Sequence, residues 1–437
     1  MDGAAAEIFK RRRQRFIKAI GEAVAVLPSA PVAIRSRDVE FIYHQDHDLY
    51  YLTGFPEPEA IALFAPGHPD GEFIMFVRPR DKERETWTGR RAGVEGAMTD
   101  FGADKAFTID ELGEILPRYI REAAEVYYPL GANERLNAQI LDMLRATEQY
   151  RQRVGTGPTA LLDPREIIHE NRLFKEPAEI AAMRRAIGIS DLAHRRAMES
   201  ARDGMGEWEV EALLNYCFRS QGGSGAAYPS IVASGANATI LHYINNDRVM
   251  RRGDLLLIDA GSEYDFYASD ITRTFPVGSR FSKAQSDLYA VVLQAQLDGI
   301  ESVAPGVTFD RPHEAALRTL VEGMKSTGLL TGSTDEIIAT GAYRRFYMHR
   351  TSHWLGMDVH DVGLYRVDGE SRRLEPGMVL TVEPGIYVSA DEEDAPPEMR
   401  GIGIRIEDDV LVTKGGHEVL SAAIPKRLAE VEALTTA

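Results

Sequence analysis

Histidines cluster near the C-terminal end of the chain. Three of the eleven fall within residues 349–361, at His349, His353 and His360. Histidine binds metal ions through a neutral ring nitrogen and titrates near neutral pH, so this cluster favours metal binding or proton transfer. The zincin pattern H-E-x-x-H is absent, because Arg350 stands where that pattern has glutamate. A loop whose histidines cap turns is the alternative interpretation of this segment by itself.

Two apolar runs elsewhere in the chain each end in a carboxylate. Residues 255–258 lead to Asp259 and residues 379–382 lead to Glu383. In both runs every second side chain shares a strand face with the acid, because the side-chain period of a strand is two. The simplest explanation is that each acid marks the point where a strand meets water, but two further acids argue against it.

Asp270 and Glu407 are predicted to join this pair. Asp270 follows Asp259 by eleven residues, across a glycine-containing turn at 261–265, so a hairpin would bring the two aspartates together. Glu407 ends an alternating apolar run in which Arg405 shares its face. Several buried acids repel one another, and they become protonated or destabilise the fold unless cations are present.

Four carboxylates and one histidine form a donor set that is rich in oxygen. A structural zinc site prefers sulfur and nitrogen ligands, so this set does not fit one. It suits two hard-to-borderline divalent ions such as Mn²⁺, Co²⁺, Fe²⁺ or Zn²⁺, with carboxylates bridging them. Two such ions about 3.5–4 Å apart hold a bridging hydroxide and stabilise the oxyanion that forms when it attacks a carbonyl. The predicted chemistry is hydrolysis without a covalent intermediate.

The second part of the chain contains an internal repeat. Residues 199–205 resemble residues 301–307 at an offset of 102, and residues 253–261 resemble residues 377–385 at an offset of 124. In the second match a glycine stands six residues before the carboxylate in both copies, and another follows two residues after it. Two matches in the same order predict a duplicated helix–helix–strand–strand half.

The order of the ligand-type residues resembles that of the methionine aminopeptidase and prolidase superfamily, whose catalytic domain is the duplicated pita-bread fold. The five residues in chain order are Asp259, Asp270, His353, Glu383 and Glu407. Within the superfamily the chain most resembles the Xaa-Pro aminopeptidase (aminopeptidase P) family, and the resemblance covers nearly the whole chain. Its motifs are Y-L-T-G-F-P-E-P-E-A at 51–60, W-T-G-R-R at 87–91, S-H-W-L-G-M-D-V-H-D at 352–361 and I-G-I-R-I-E-D-D at 402–409. Arg350-Thr351 is a departure, since some members carry Gly-Leu there.

The resemblance implies a role for each ligand. Asp259 would bind one ion, His353 and Glu383 the other, and Asp270 and Glu407 would bridge the two. The implied reaction removes the N-terminal residue from peptides with proline in the second position, by attack of a metal-bridging hydroxide. Manganese is the favoured metal, with cobalt, zinc and iron as alternatives.

The resemblance also implies a substrate site lined by three imidazoles, in which His360 stabilises the developing oxyanion or holds the scissile carbonyl. Arg405 would orient Glu407 or meet the substrate, Tyr387 would polarise the site or pack, and Tyr228 would form a wall of the proline pocket. The implied catalytic residues are His242, His360 and Glu383. The implied substrate-binding residues are His349, Arg405, Tyr387, Tyr228 and Trp87.

The length of 437 residues favours two domains. Residues 1–173 alternate short strands, at 23–27, 60–64 and 72–77, with helices, which is typical of an α/β layer. A long helix with Pro177 in its first turn then begins the second part. The predicted fold is therefore α+β, with an N-terminal α/β domain at 1–173 and a duplicated pita-bread catalytic domain at 174–437.

Charge and cysteine content restrict the partners. The net charge of −17 disfavours nucleic acid and anionic membranes, and no stretch reaches the ~18 apolar residues of a membrane span. The single cysteine, Cys217, lies in an apolar pattern, so no disulfide framework and a cytoplasmic location are expected. Trp87 lies in a polar stretch predicted to be a loop. In the resembling family this loop crosses to a neighbouring active site, so a homo-oligomer, a dimer or tetramer, is expected.

Two alternatives to the aminopeptidase remain open from sequence. A prolidase, which cuts only Xaa-Pro dipeptides, has the same ligand set, and only the flanking motifs favour the aminopeptidase. A metal-free member of the same fold, either a binding module or a creatinase-type hydrolase, would be expected to have lost ligands, whereas all five are present here.

Overall fold

The computed structural model describes residues 3–278 and 280–435 of the chain. They fall into two units that divide after Asn171, within the helix Arg165–Leu173 and close to the predicted boundary at 173. No helix in these residues combines the length and the hydrophobicity that crossing a bilayer requires.

The N-terminal unit is built on one six-stranded mixed sheet. Three of its strands, Val24–Pro28, Ile61–Phe64 and Phe73–Val77, are buried along their whole length, which confirms the three strands predicted near these positions. The order across the sheet is Lys105–Thr108, Phe73–Val77, Ile61–Phe64, Val24–Pro28, Glu125–Tyr127 and Ala160–Leu162. A separate short hairpin joins Ile34–Ser36 to Val39–Glu40.

Helices alternate with these strands, as the sequence predicted. Their bounds are Gly3–Ile20, His47–Thr53, Lys82–Thr88, Gly93–Thr99, Leu112–Glu122, Glu134–Val154 and Arg165–Leu173. The loop predicted around Trp87 is wrong, because that stretch forms the helix Lys82–Thr88. The Asp81 side chain caps this helix by accepting from the backbone nitrogens of Glu83 and Arg84, and such a cap stabilises a polar helix that has no buried face.

The C-terminal unit contains the duplication that the sequence predicted. Each half starts with two helices and continues into strands that form an antiparallel sheet. The helices are Pro177–Ser200 and Glu207–Ser220 in the first half, Lys283–Glu301, Arg311–Ser326 and Thr334–Thr340 in the second, and Leu428–Thr435 at the end. Strands of the first half are Gly225–Ala226, Ile231–Ser234, Leu255–Asp259, Ser262–Tyr264, Tyr267–Ala268 and Thr272–Pro276. Those of the second are Arg366–Val367, Glu370–Ser371, Val379–Val382, Gly385–Val388, Ile402–Arg405, Asp408–Thr413 and Gly416–Val419.

Glycine follows the acid-terminated strand by two residues in both halves because the backbone is crowded there. A Cβ atom on Gly261 would lie 1.7 Å from the carbonyl oxygen of Ser269, and one on Gly385 would lie 2.8 Å from that of Ile404. Only a residue without a side chain permits this close approach. The repeated acid-x-glycine pattern therefore marks the place where each strand turns past its neighbour.

The segment that carries the histidine cluster runs beside the strand Val379–Val382. Leu355 and Thr381 donate across this edge to the carbonyls of Val379 and His353, at 3.1 and 3.0 Å. The backbone nitrogen of Glu383 donates to the Thr351 carbonyl at 2.8 Å. This pairing holds His353 next to Glu383, although thirty residues of chain separate them.

A buried ion cluster anchors the far end of the same segment. Arg172 Nη2 donates to Asp361 Oδ1 at 2.7 Å and to Asp358 Oδ2 at 2.7 Å, while Lys175 Nζ donates to Asp361 Oδ2 at 2.8 Å. The side chains of Asp361 and Lys175 are each 1 % exposed. Burial alone would raise the pKa of Asp361, but Lys175 and Arg172 lower it below its usual range. His360 is the residue before this anchor.

We predict that Asp361→Asn destabilises the protein by about 3–5 kcal/mol, because it removes the carboxylate that neutralises buried Lys175 and one of the two carboxylates that bind Arg172. Urea and thermal unfolding at pH 7 measure the effect. Asp335→Asn is the matched control, since it removes the partner of Arg318 in an exposed ion pair of 3.0 Å. The control should change stability by less than about 1 kcal/mol.

The Asp361 contribution should also depend on pH. A carboxyl group whose pKa is lowered by folding stabilises the protein above its unfolded pKa of about 3.9, and this stabilisation is lost as the pH falls through the lower folded value. The stability difference between the wild type and Asp361→Asn should therefore be complete at pH 7 and shrink as the pH falls below about 4. A difference that stays constant into strong acid would contradict this account.

Candidate active site

The structure brings the predicted ligands of the second half together with Asp270 of the first. The ligand atoms of Asp270, His353 and Glu407 all lie within 4.8 Å of one another. His353 Nε2 lies 3.3 Å from Asp270 Oδ2 and 3.6 Å from Glu383 Oε1. Residues from both halves of the duplication therefore meet at one centre.

The hydroxyl of Tyr228 joins the two aspartates. It lies 2.7 Å from Asp259 Oδ1 and 2.5 Å from Asp270 Oδ1. Burial raises the pKa of Tyr228, and the charges of the two aspartates raise it further, so the phenol stays protonated and donates to one carboxylate at a time. The predicted meeting of Asp259 and Asp270 across a hairpin is thus present, with the turn at Asp265 and Phe266, both at positive φ.

The His353 ring is oriented with Nε2 towards the acids. Its Nδ1 donates to the Trp354 carbonyl at 2.9 Å. Burial lowers the pKa of His353, but the hydrogen bond to Asp270 and the charge of Glu383 outweigh it and raise the value to about 9. The proton on Nε2 then lies between carboxylates, where a metal ion bound to Nε2 would replace it.

The acids themselves are poorly stabilised as anions. Burial, reinforced by neighbouring carboxylates, raises the pKa of Glu383 to about 7 and raises those of Asp270 and Glu407. Asp270 and Glu407 are 5 % and 2 % exposed. Four carboxylates with one oriented imidazole nitrogen form the oxygen-rich set that hard-to-borderline divalent cations prefer. The residues present therefore fit divalent metal ions.

These residues lie in the wall of a cavity of about 810 Å³. The predicted imidazoles His242, His349 and His360 line it as well. In the described residues no hydrogen bond engages the ring nitrogens of His242 or His360, so both are available to a bound molecule. The His360 ring packs against His353 with centroids 4.4 Å apart. Burial and the nearby His353 charge lower the pKa of His360. Apolar and aromatic lining residues are Ile231, Leu241, Ile244, Phe309, Val359 and Tyr365.

His349 is held by a chain of hydrogen bonds that runs in one direction. Arg405 Nη1 donates to the Tyr387 hydroxyl at 2.9 Å, which donates to His349 Nε2 at 2.8 Å. His349 Nδ1 donates in turn to the Arg350 carbonyl at 2.7 Å. Burial, followed by the Arg405 charge, lowers the pKa of His349 to about 3, so the ring is neutral. Both nitrogens of His349 are therefore engaged, and Tyr387, 2 % exposed, lies behind the cavity wall.

Arg405 connects the two halves of the centre. Its Nη2 donates to Asp259 Oδ2 at 2.5 Å, and its Nε donates to Thr272 Oγ1 at 3.1 Å. Thr272 Oγ1 donates to Glu407 Oε2 at 2.5 Å. Thr272 was missed in the sequence, although it lies directly across the strand pair from Asp259. The pairing of these two strands could have revealed Thr272 in the sequence, since residues directly opposite each other on paired strands share a face.

Asp409 was also missed. Its Oδ2 accepts from the Asp270 backbone nitrogen at 3.3 Å, and Oδ1 is buried with no hydrogen-bond partner in the described structure. Burial and the Asp270 charge raise the pKa of Asp409. Three consecutive acids, Glu407-Asp408-Asp409, could have indicated in the sequence that more than one of them lies at the centre. The middle acid, however, points away from the centre and forms an ion pair with Arg273 at 2.7 Å.

Trp87 belongs to the N-terminal unit, where it is 85 % exposed. Its predicted contact with substrate stays a prediction.

We predict that Thr272→Val weakens divalent metal binding about 10- to 100-fold, because it removes the hydroxyl that orients Glu407 and Arg405. Titration of the metal-free protein with Mn²⁺ measures the affinity. Thr274→Val is the matched control, since Thr274 is equally buried in the same strand but its hydroxyl bonds to the backbone of Arg405. Equal losses in the two variants would contradict a specific role for the Thr272 hydroxyl.

Comparison with known proteins identifies the family of the chain. Residues 181–414 match the profile of Metallopeptidase family M24, and residues 9–127 match that of the aminopeptidase P N-terminal domain. The Xaa-Pro aminopeptidase of Escherichia coli (strain K12) is 42 % identical over 431 residues, which cover 98 % of this chain and 97 % of that protein.

Two solved structures are similar over the same extent. Pseudomonas aeruginosa aminopeptidase PepP matches with a TM-score of 0.96 at 49 % identity, covering 98 % of both chains. Zinc-substituted E. coli aminopeptidase P in complex with product matches with a TM-score of 0.94 at 42 % identity, also covering 98 % of both. The C-terminal unit thus has the predicted pita-bread fold, and the protein is a hydrolase. The chain belongs to the Xaa-Pro aminopeptidase (aminopeptidase P) group of metallopeptidase family M24.

Proposed function

We propose that the chain is a metal-dependent aminopeptidase that releases the N-terminal residue from peptides whose second residue is proline. The observation that carries the proposal is the convergence of five metal-type ligands with two uncommitted imidazoles in one cavity. The similar proteins named as Xaa-Pro aminopeptidases support the choice of substrate.

The proposed metal ligands are those the sequence suggested. Asp259 would hold one divalent ion, His353 and Glu383 a second, and Asp270 and Glu407 both. Bound ions of this kind activate a water molecule and polarise the scissile carbonyl. Manganese is our proposal for the native metal, although a similar enzyme has been solved with zinc. Glu383 would then serve the reaction as a ligand.

The imidazoles have separate tasks in this proposal. His242 and His360 have ring nitrogens that are free to donate to the carbonyl oxygen as it gains negative charge, which makes them the proposed catalytic residues. Both nitrogens of His349 are engaged by Tyr387 and Arg350, so His349 shapes the cavity without donating to substrate. Arg405, in the cavity wall, and Tyr387, behind it, act as positioning residues.

Proline specificity is consistent with the character of the cavity wall. The nitrogen of an Xaa-Pro bond carries no hydrogen, so the subsite needs no acceptor for it. The apolar side chains of Leu241, Ile244 and Val359 line the cavity together with His242 and His360, and they are suited to a pyrrolidine ring. Tyr228 lines the same cavity and holds Asp259 and Asp270 through its hydroxyl.

We predict that metal-reconstituted protein cleaves an Xaa-Pro-Yaa tripeptide and leaves its N-acetylated form intact, because a free amine is proposed to bind at the ion held by Asp259. Elemental analysis should approach two ions per chain. His353→Ala should lose metal and most activity, whereas His417→Ala, whose Nδ1 bonds the Val303 carbonyl, should retain both. An Xaa-Pro dipeptide is assayed in parallel, and cleavage of the dipeptide alone would identify a prolidase instead.

Self-association and a cytoplasmic location are further parts of the proposal. Several large apolar side chains of the N-terminal unit are exposed, and such patches mark interaction surfaces. They include Ile34, Val39, Phe41 and Ile42 on and beside the short hairpin, and Trp87. We propose a homo-oligomer in which Trp87 helps to close the cleft of a neighbouring subunit.

We predict that Trp87→Ala leaves the metal content unchanged and lowers kcat/KM, more for longer peptides than for tripeptides, because a large anchoring ring is removed from the cleft. Light scattering gives the mass, and kinetics on the two substrates give the effect. Leu141→Ala, another exposed apolar residue of the same unit, is the control. A fully active monomer with unchanged Trp87→Ala kinetics would rule out this role.

A further inference from the structure

Two arginines line the cavity away from the acidic centre. Arg350 and Arg366 are both in its wall, and their side chains are 57 % and 62 % exposed. Their immediate counter-charge is Asp310, which also lines the cavity. One positive charge therefore remains in excess on this part of the wall, in a chain whose net charge is −17.

Asp310 is turned to hold both guanidinium groups. It stands at the N-cap of the helix Arg311–Ser326, but its side chain makes no capping hydrogen bond. Its Oδ1 accepts from Arg350 Nη2, and its Oδ2 accepts from Arg366 Nη2 at 3.4 Å. An aspartate at this position would ordinarily bond to the free backbone N–H groups of the first turn. Here its carboxylate instead fixes two arginines side by side.

Hydrogen bonds constrain the backbone of the hairpin that carries Arg366. Arg366–Val367 and Glu370–Ser371 pair as a two-stranded hairpin, with Asp368 and Gly369 between them at φ +52° and +82°. Two central residues at positive φ are the geometry of a tight type I′ turn. The backbone of Phe309 donates to the Arg372 carbonyl at 2.7 Å, and that of Arg372 donates to the Tyr365 carbonyl at 2.9 Å. The hairpin is thereby tied to the cavity wall.

Arg350 is equally constrained at its backbone. Its carbonyl accepts from His349 Nδ1, and its neighbour Thr351 is bonded through Oγ1 to Tyr347 at 2.6 Å and to His313 at 2.8 Å. In the described structure the Arg350 side chain bonds to Asp310 alone, which leaves most of its five donors open to the cavity.

We propose that Arg350 and Arg366 form a subsite that recognises a carboxylate of the peptide substrate. The proposal rests on the aminopeptidase function above and specifies which substrates the cavity prefers. Guanidinium groups bind carboxylates through paired, charge-assisted hydrogen bonds, and the excess positive charge on this wall gives the group its counter-charge. The carboxylate is either the C-terminal α-carboxylate of a short peptide or an acidic side chain after the proline.

Two substrate pairs distinguish these sources with the metal-loaded, full-length enzyme. The first pair is Ala-Pro-Ala as the free acid and as the C-terminal amide. The second is Ala-Pro-Glu amide and Ala-Pro-Gln amide, which differ only in the side-chain carboxylate. In at least one pair kcat/KM should be about three- to tenfold higher for the substrate with the carboxylate, through a lower KM. High salt should reduce this preference, because exposed charges are screened.

The preference should fall in Arg350→Gln and in Arg366→Gln, and it should approach unity in the double variant. Arg318→Gln is the matched control, because Arg318 is 56 % exposed and pairs with Asp335 elsewhere on the unit. The control should keep the wild-type preference. Measured melting temperatures exclude unfolding as the cause.

Three outcomes would overturn the subsite. They are cleavage without a carboxylate preference in either pair, a preference that persists in the double variant, and an equal loss of preference in Arg318→Gln. Each of these leaves the proposed aminopeptidase function standing. Failure of the metal-loaded wild type to cleave any of the four peptides would overturn the function and the subsite together.

Discussion

Mutual repulsion among four carboxylates is the constraint on which the rest of the C-terminal unit depends. Burial raises the pKa of Asp270, Glu383 and Glu407, and the negative charges of the neighbouring acids raise these pKa values further. Several neighbouring side chains donate to these oxygens. Tyr228, Arg405 and Thr272 each hold one or two carboxylate oxygens in place. Hydrogen bonds fix where the oxygens point, and divalent cations are suited to supply the remaining positive charge.

The duplicated fold satisfies this constraint by bringing two equivalent strand ends to one place. Leu255–Asp259 and Val379–Val382 each lead to an acid and then to a glycine whose missing side chain lets the strand turn past a neighbour. Neither half has the full donor set. Asp259 and Asp270 come from the first half, and His353, Glu383 and Glu407 come from the second. The centre therefore forms only when both halves have folded against each other.

Charge and burial change together along the cavity. The acids lie deepest, at 5 % exposure or less for Asp270 and Glu407, while His242 and His360 are exposed to the cavity. Arg350 and Arg366 are more than half exposed. A peptide substrate also has separated charges, with a positively charged amine at its N-terminus and carboxylates further along the chain. The same charge distribution that holds cations at the centre thus favours one orientation of a bound peptide. The buried Asp361 cluster fixes the end of the segment that carries three of the histidines.

Sequence alone determined the parts of the site that follow from local pattern. Residue type and strand period were enough to identify the acids at strand ends and the histidine cluster, because these features depend on a few neighbouring residues. The duplication was visible because two short segments recur in the same order. The three N-terminal strands were found for the same reason. The polar helix at Lys82–Thr88 was missed because a cap, rather than a buried face, stabilises it.

Only the tertiary structure decided which groups surround those acids. Thr272 reaches Glu407 across 135 residues of chain, and Arg172 reaches Asp361 across 189. Tyr387 lies behind the wall and not in it, and Asp409 faces Asp270 while Asp408 faces Arg273. Strand register and burial set these contacts, and neither is encoded in the spacing of any short segment. A sequence pattern predicts which side chains bind metal, but the positions of the groups that donate hydrogen bonds to them are set only when distant strands have paired.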